Sequence, residues 1–271
     1  MSERQDIDAK KSAAAPAAPH PRPARPDVEI ERVRDDARLR VWRHRGRSRR
    51  LVVCFSGLGR DHRRPPRLEF AKTASASGRD HVLYIADPNR SWLNAPGLIE
   101  EISALVEAEV ARVTPEHVVA MGHSMGGYSA LALGGFTRVD VALALSPQLA
   151  VDPDVVPEEL RWKELRGRIG TFRIGDVSAL MRPETEHCII FGNYGREAAQ
   201  RRLIRLGPNV HSFLLPGVRH DTVQRLYKAG LLDETVQLAF DGRHRRLRRI
   251  LADGLGAVQL PSPARTTEED A

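Results

Sequence analysis

Short apolar runs alternate with amphipathic stretches along most of the chain. Val28–Val33, Leu39–Arg43 and Leu51–Phe55 read as three successive strands, bounded by polar and glycine-containing turns. A helix over Arg67–Ser77 follows, then a strand His81–Ala86 and a helix Pro96–Val113. In that helix Leu98, Ile99, Ile102, Leu105, Val106 and Val110 repeat at helical spacing, so one face is built to pack. The alternation continues through strand His117–Met121, helix Met125–Gly134 and strand Val139–Leu145. It then lapses over residues 149–186 and resumes with strands Cys188–Phe191 and His211–Leu215. Helices Glu197–Leu206 and Asp221–Ala229 follow those two strands. Strands alternating with helices predict an α/β chain: a three-layer α/β/α sandwich on a mostly parallel sheet, with an antiparallel edge at its N-terminal end.

Three further segments complete the predicted organisation. Residues 1–26 are Ala/Pro-rich without apolar periodicity and read as a disordered arm; residues 259–271 read as a second tail. The domain is expected over 27–258, with 149–186 as a short cap or lid insertion. Leu247, Ile250, Leu251 and Leu255 share one face of an arginine-rich helix over 243–255. Such a helix can lie on anionic lipid, but packing its stripe on its own domain is the favoured reading.

Composition narrows the function classes. No run approaches the roughly eighteen apolar residues of a membrane span, and no apolar segment follows the N-terminal MSERQDIDAKK, so a cytoplasmic protein is expected. Cys54 and Cys188 lie in apolar runs, which excludes a disulfide framework and fits a reduced compartment. The 42 Lys and Arg exceed 35 Asp and Glu, for a net charge of +7. Only five of the 42 are lysine and the charges spread along the whole chain, so no nucleic-acid footprint is expected.

The chemistry concentrates at Gly122-His123-Ser124-Met125-Gly126-Gly127, directly after the strand HVVAM and directly before a helix. A serine nucleophile needs a turn too sharp for ordinary side chains, which the flanking glycines permit, and the helix N-terminus favours developing negative charge. On this motif and the order of elements over about residues 28–230, the chain resembles the α/β-hydrolase superfamily. The resemblance implies a serine, acid, histidine triad and an oxyanion loop after the third strand. Ser56-Gly57-Leu58-Gly59 stands there, with Ser56 where many relatives carry histidine. The amides of Leu58 and Met125 would be the two oxyanion donors, with Gly57 in the tight turn at the pocket.

Among ten histidines His220 is the expected general base, because it follows the last long strand. His62, in the loop after the oxyanion turn, is the rival and more plausibly lines the pocket, as Trp92 would. The acid is open. The loop after CIIF carries no carboxylate at Gly195, where the short Gly-x-x-Asp pattern would put one. Glu197 is the nearest carboxylate, with Asp176 and Asp152 in reserve; Asp221 is better read as a first-turn helix acid. Neither a metal-ligand cluster nor a dinucleotide fingerprint is present, so no cofactor is implied. The expected activity is hydrolysis of an ester, thioester or related acyl compound, small or glycan-linked. Acyl transfer by the same residues and a non-catalytic binding protein of the same fold are the alternatives.

Overall fold

The computed structural model describes residues 28–261; the predicted arm and most of the predicted tail lie outside them. In chain order the elements are β1 (Glu31–Asp35), β2 (Arg40–His44), β3 (Arg50–Phe55), α1 (Ala71–Ala74), β4 (His81–Ala86), α2 (Leu98–Val113), β5 (His117–His123), α3 (Met125–Leu133) and β6 (Val141–Leu145). These are followed by α4 (Lys163–Arg166), β7 (Glu186–Gly192), α5 (Ala198–Arg201), β8 (Val210–Leu215), α6 (Thr222–Lys228), α7 (Leu232–Phe240), α8 (His244–Leu255) and β9 (Val258–Gln259). One sheet orders its strands β1-β2-β4-β3-β5-β6-β7-β8-β9. The strands from β4 to β8 pair in parallel, and the edge pairings β1–β2, β2–β4 and β8–β9 are antiparallel.

The apolar runs of β3, β5, β6 and β7 are buried along their length, as strands covered on both faces must be. One core face joins α2 and α3 to the sheet through Leu98, Ile102, Val106, Tyr128 and Leu131. The other joins α6, α7 and α8 through Leu226, Val236, Phe240, Leu247 and Leu251. The stripe of α8 therefore packs on the domain itself. Cys54 and Cys188 are buried free thiols, and burial pushes the Cys188 thiol up to about 12.

Several elements differ from the predicted pattern. Of the three opening strands, β1 and β2 form the antiparallel edge, while β3 crosses into the middle of the sheet. The helix expected over Arg67–Ser77 contracts to the single turn α1, because Phe70, Ala76 and Ser77 adopt positive φ on either side of it. The helix expected over Glu197–Leu206 contracts to a 3-10 turn, Gly195–Glu197, and the one turn of α5. Only Gln200 of α5 is buried, and a helix without an apolar face gains little from continuing. Helix α7, which the pattern did not announce, fills the interval between Gly230 and Gly242. Strand β9 pairs with β8 through Val258 and Gln259.

Residues 149–186 hold only α4 and a 3-10 turn at Val177–Leu180, yet they are tied down firmly. Leu149, Val151, Leu165, Ile174 and Val177 join the core. Asn94 Oδ1 accepts from the Ile174 amide at 2.8 Å, and Gln200 Oε1 accepts from the Leu149 amide at 2.7 Å.

His187, at the start of β7, is fully buried, and burial pushes its imidazole down to about 4 from the ordinary value near 6.5. Between those values the unfolded chain binds a proton that the folded one refuses, so stability falls as pH drops from about 6.5 to 4. His187 alone accounts for up to about 3 kcal/mol of that fall. In urea titrations across this range, His187→Gln is expected to flatten the dependence; an unchanged slope would contradict the assignment.

Candidate active site

The parallel strands deliver their following loops to one sheet edge, where the site is assembled. Ser124 links β5 to α3 with φ 59° and ψ −120°, a backbone conformation that a non-glycine residue holds only under constraint. Small neighbours make the turn possible. A Cβ on Gly126 would stand 2.3 Å from the Phe55 carbonyl oxygen, so the end of β3 lies directly against the elbow. That contact sets the loop carrying Leu58 beside Met125. Among the described residues neither the Leu58 nor the Met125 amide has a hydrogen-bond partner.

His220 Nε2 lies 2.9 Å from Ser124 Oγ, and His220 Nδ1 lies 3.1 Å from Glu197 Oε1. An ionised carboxylate only accepts, so Nδ1 carries the proton and donates to Glu197, leaving Nε2 to accept from the serine hydroxyl. The loops meet this closely because β7 ends in Gly192. A Cβ there would stand 2.1 Å from the Arg219 carbonyl oxygen. Glu197 is 1% exposed, and its burial would raise the carboxyl. The hydrogen bond and charge of His220, with the charge of Arg161, outweigh burial and hold it below the usual range.

Arg161 comes from the predicted cap. Its Nη1 donates to Glu197 Oε1, while Nε and Nη2 grip the two oxygens of buried Glu159 at 2.8 and 2.6 Å. Gln200 Nε2 donates to Glu159 at 3.2 Å. Arg161 Nη1 also passes 3.3 Å from His220 Nδ1, a contact of two N–H groups in the tautomer just derived. Trp162 packs its ring on His220 at 5.2 Å, and Arg161 lies over the Trp162 ring.

Ser124 Oγ has a second partner. Gln148 Nε2 donates to it at 3.1 Å, and Trp92 Nε1 donates to Gln148 Oε1 at 3.1 Å, which fixes the amide orientation. Oγ therefore donates its proton to His220, accepts from Gln148 and keeps one lone pair unengaged. His123 turns away from Ser124 Oγ. Its Nε2–H donates to the His220 carbonyl at 3.0 Å, and burial, with the nearby His220, pushes its own imidazole down to about 4.

Ser124, His220, Glu197, Leu58 and Met125 are thus brought together. Trp92 does not wall an open pocket: it is fully buried behind Gln148. Gly57 is buried against the elbow and donates its amide to Glu69 Oε2 at 3.1 Å, a carboxylate outside the expected site. His62 lines a cavity whose walls include neither Ser124 nor His220. Asp176 instead caps the turn at Ser178, and Asp152 accepts from the Asp154 amide. Asp221 precedes α6 as its N-cap residue. The sequence pattern does not single out Arg161, Glu159 or Gln148; the one available signal is that Gln148 stands just beyond β6, the neighbour of β5.

The sequence matches no protein-family model and no curated protein. Solved structures do resemble it. One is an esterase from the bacterial hormone-sensitive lipase family, at 12% identity over 82% of this chain and 86% of that chain, with a TM-score of 0.56. Another is the capsule O-acetyltransferase of Neisseria meningitidis serogroup A, at 14% identity over 73% of this chain and 91% of that chain, with a TM-score of 0.52.

Removing the Arg161 charge would leave Glu159 and Glu197 buried with one imidazole between them. Arg161→Gln is expected to cost about 3–5 kcal/mol in denaturant unfolding at neutral pH. Both carboxyls are held low in the folded protein, so wild-type stability from them is present at neutral pH and lost as pH falls through their folded values. The variant should show a weaker acid loss. Equal stability of the two proteins at pH 7 would remove Arg161 from this role.

Proposed function

We propose that this chain, which has the α/β-hydrolase fold, is a serine hydrolase acting on an ester, thioester or related acyl compound. The observation that carries this reading is the continuous hydrogen-bond line from Ser124 Oγ through His220 to Glu197. Ser124 Oγ attacks the acyl carbon while its proton moves to His220 Nε2. The Leu58 and Met125 amides, unengaged by the protein, donate to the carbonyl oxygen as it becomes an oxyanion. Glu197 accepts from Nδ1–H throughout and stabilises the imidazolium, remaining ionised itself. The imidazolium then protonates the leaving group. Water, activated by the same nitrogen, attacks the acyl-serine and restores the enzyme.

Replacing that water by an alcohol gives acyl transfer with the same residues. Ser124 is 4% exposed, so either acceptor has to enter a largely closed site. The esterase and O-acetyltransferase likenesses are compatible with either. A binding protein without catalysis would have no need to keep the serine, imidazole and carboxylate in line.

A fluorophosphonate probe is expected to label the wild-type chain and to leave Ser124→Ala unlabelled with its fold intact; labelling that survives the substitution refutes the reading. With an activated acetyl ester, His220→Ala is expected to lower turnover about 10³-fold or more, and Glu197→Gln by about 10²- to 10⁴-fold. His62→Ala should remain within a few-fold of wild type.

A further inference from the structure

A cavity of about 730 Å³ opens between the loop after β3, the loop between β4 and α2, and the segment around α4. Its walls carry His62, Arg63, Arg64, Arg90, Arg168 and Arg173, and no aspartate or glutamate among the described residues lines it. Two of these cations have carboxylate partners outside the walls: Arg64 with Asp61 at 3.5 Å and Arg173 with Glu100 at 2.7 Å. Arg63 and Arg168 form no ion pair with any described carboxylate.

Arg90 supplies the second, independent feature. It is 5% exposed, at a positive φ of 52°, and forms no salt bridge among the described residues. Its guanidinium donates instead to main-chain carbonyls: Leu58 at 2.9 Å, Arg64 at 2.6 Å, and Asp61, His62 and Pro88 at 3.3 to 3.4 Å. Asp87 turns its carboxylate to the Ser91 amide and hydroxyl and to the Asn89 amide. A buried cation is costly unless something offsets it; carbonyl dipoles and the through-space charges of Asp87 and Asp61 do so here, with no carboxylate in direct contact. The same guanidinium fastens the cavity wall to the residue whose amide faces the proposed oxyanion. From Leu58 to His62 the chain can span at most about 14 Å.

We infer that this arginine-walled cavity binds a phosphate group carried by the acyl substrate, within reach of the acyl carbon at Ser124. The inference rests on the serine-hydrolase reading and names its substrate class. Arginine forks match phosphate oxygens in pairs, and several guanidinium groups with no acid among them suit a multiply charged anion better than a single carboxylate. The field is strongest where low-dielectric walls exclude counter-ions, so recognition should weaken with salt.

The test uses the full chain and two esters that differ by one phosphate: 1-acetylglycerol and 1-acetylglycerol 3-phosphate. Wild type is expected to favour the phosphorylated ester about tenfold or more in kcat/KM, chiefly through KM, and to lose that preference as NaCl is raised. In a variant carrying Arg63→Gln and Arg168→Gln the ratio should fall to near one, and Arg168→Lys should keep part of it. A wild-type ratio near one, or a ratio unmoved in the double variant, overturns the inference. Calorimetry with inorganic pyrophosphate separates the cavity from the catalysis. If neither ester is turned over, the hydrolase reading fails, while binding that is lost in the double variant still supports a phosphate site. Pyrophosphate binding without any preference between the esters overturns the substrate assignment in favour of free phosphate. Absence of both binding and preference removes the site.

Discussion

A carboxylate buried at the end of β7 stays charged only if cations meet it there, and much of the surrounding architecture follows from that requirement. Glu197 accepts from both His220 and Arg161 through one oxygen. Arg161 needs a second anion of its own, Glu159, and Glu159 is steadied in turn by Gln200. Gln200 also accepts from the amides of Leu149 and Ala150, where the chain leaves β6. The irregular segment 149–186 is therefore an electrostatic support of the buried acid. Its tie to the acid runs through charge rather than through apolar contact alone.

The sheet sets the other half of the geometry. Parallel pairing of β3, β5, β6, β7 and β8 sends their following loops to the same edge, so residues far apart in sequence meet there. The close backbone approaches at Gly126 and Gly192 then fix how tightly the loops can draw together. The strained φ of Ser124 is sustained by packing on several sides, since every residue of α3 is buried.

The parts of this arrangement that were legible in the sequence are those that strong local rules govern. The glycines around Ser124 need no tertiary knowledge, because only a sharp strand-to-helix turn calls for them there. His220 followed from chain order after the last long strand. Glu197 remained one of three carboxylates, because the loop after β7 holds Gly195 where a short acid pattern would show itself, and only three-dimensional proximity separates it from Asp176 and Asp152. Arg161 and Glu159 come from a stretch without periodicity, where sequence spacing says nothing about direction, and Glu69 lies in an expected helix that the left-handed Phe70 interrupts. The depth of Trp92 depends on Gln148, a partner 56 positions away in sequence that no local pattern announces. The contracted helices show the same limit in reverse: helical spacing persisted in the sequence where left-handed residues or missing burial ended the element.

Strand β9 is only two residues long, yet it occupies the outer side of β8. Beyond it the Leu260 amide donates to the Ser212 carbonyl at 2.8 Å. Without those few bonds β8 would be a bare sheet edge, open to pairing with another chain. The strand so exposed is the one that leads into the His220 loop. Self-association along it would therefore tug on the histidine's own support, so a strand of two residues shields the approach to the proposed catalytic imidazole from the far side of its neighbour.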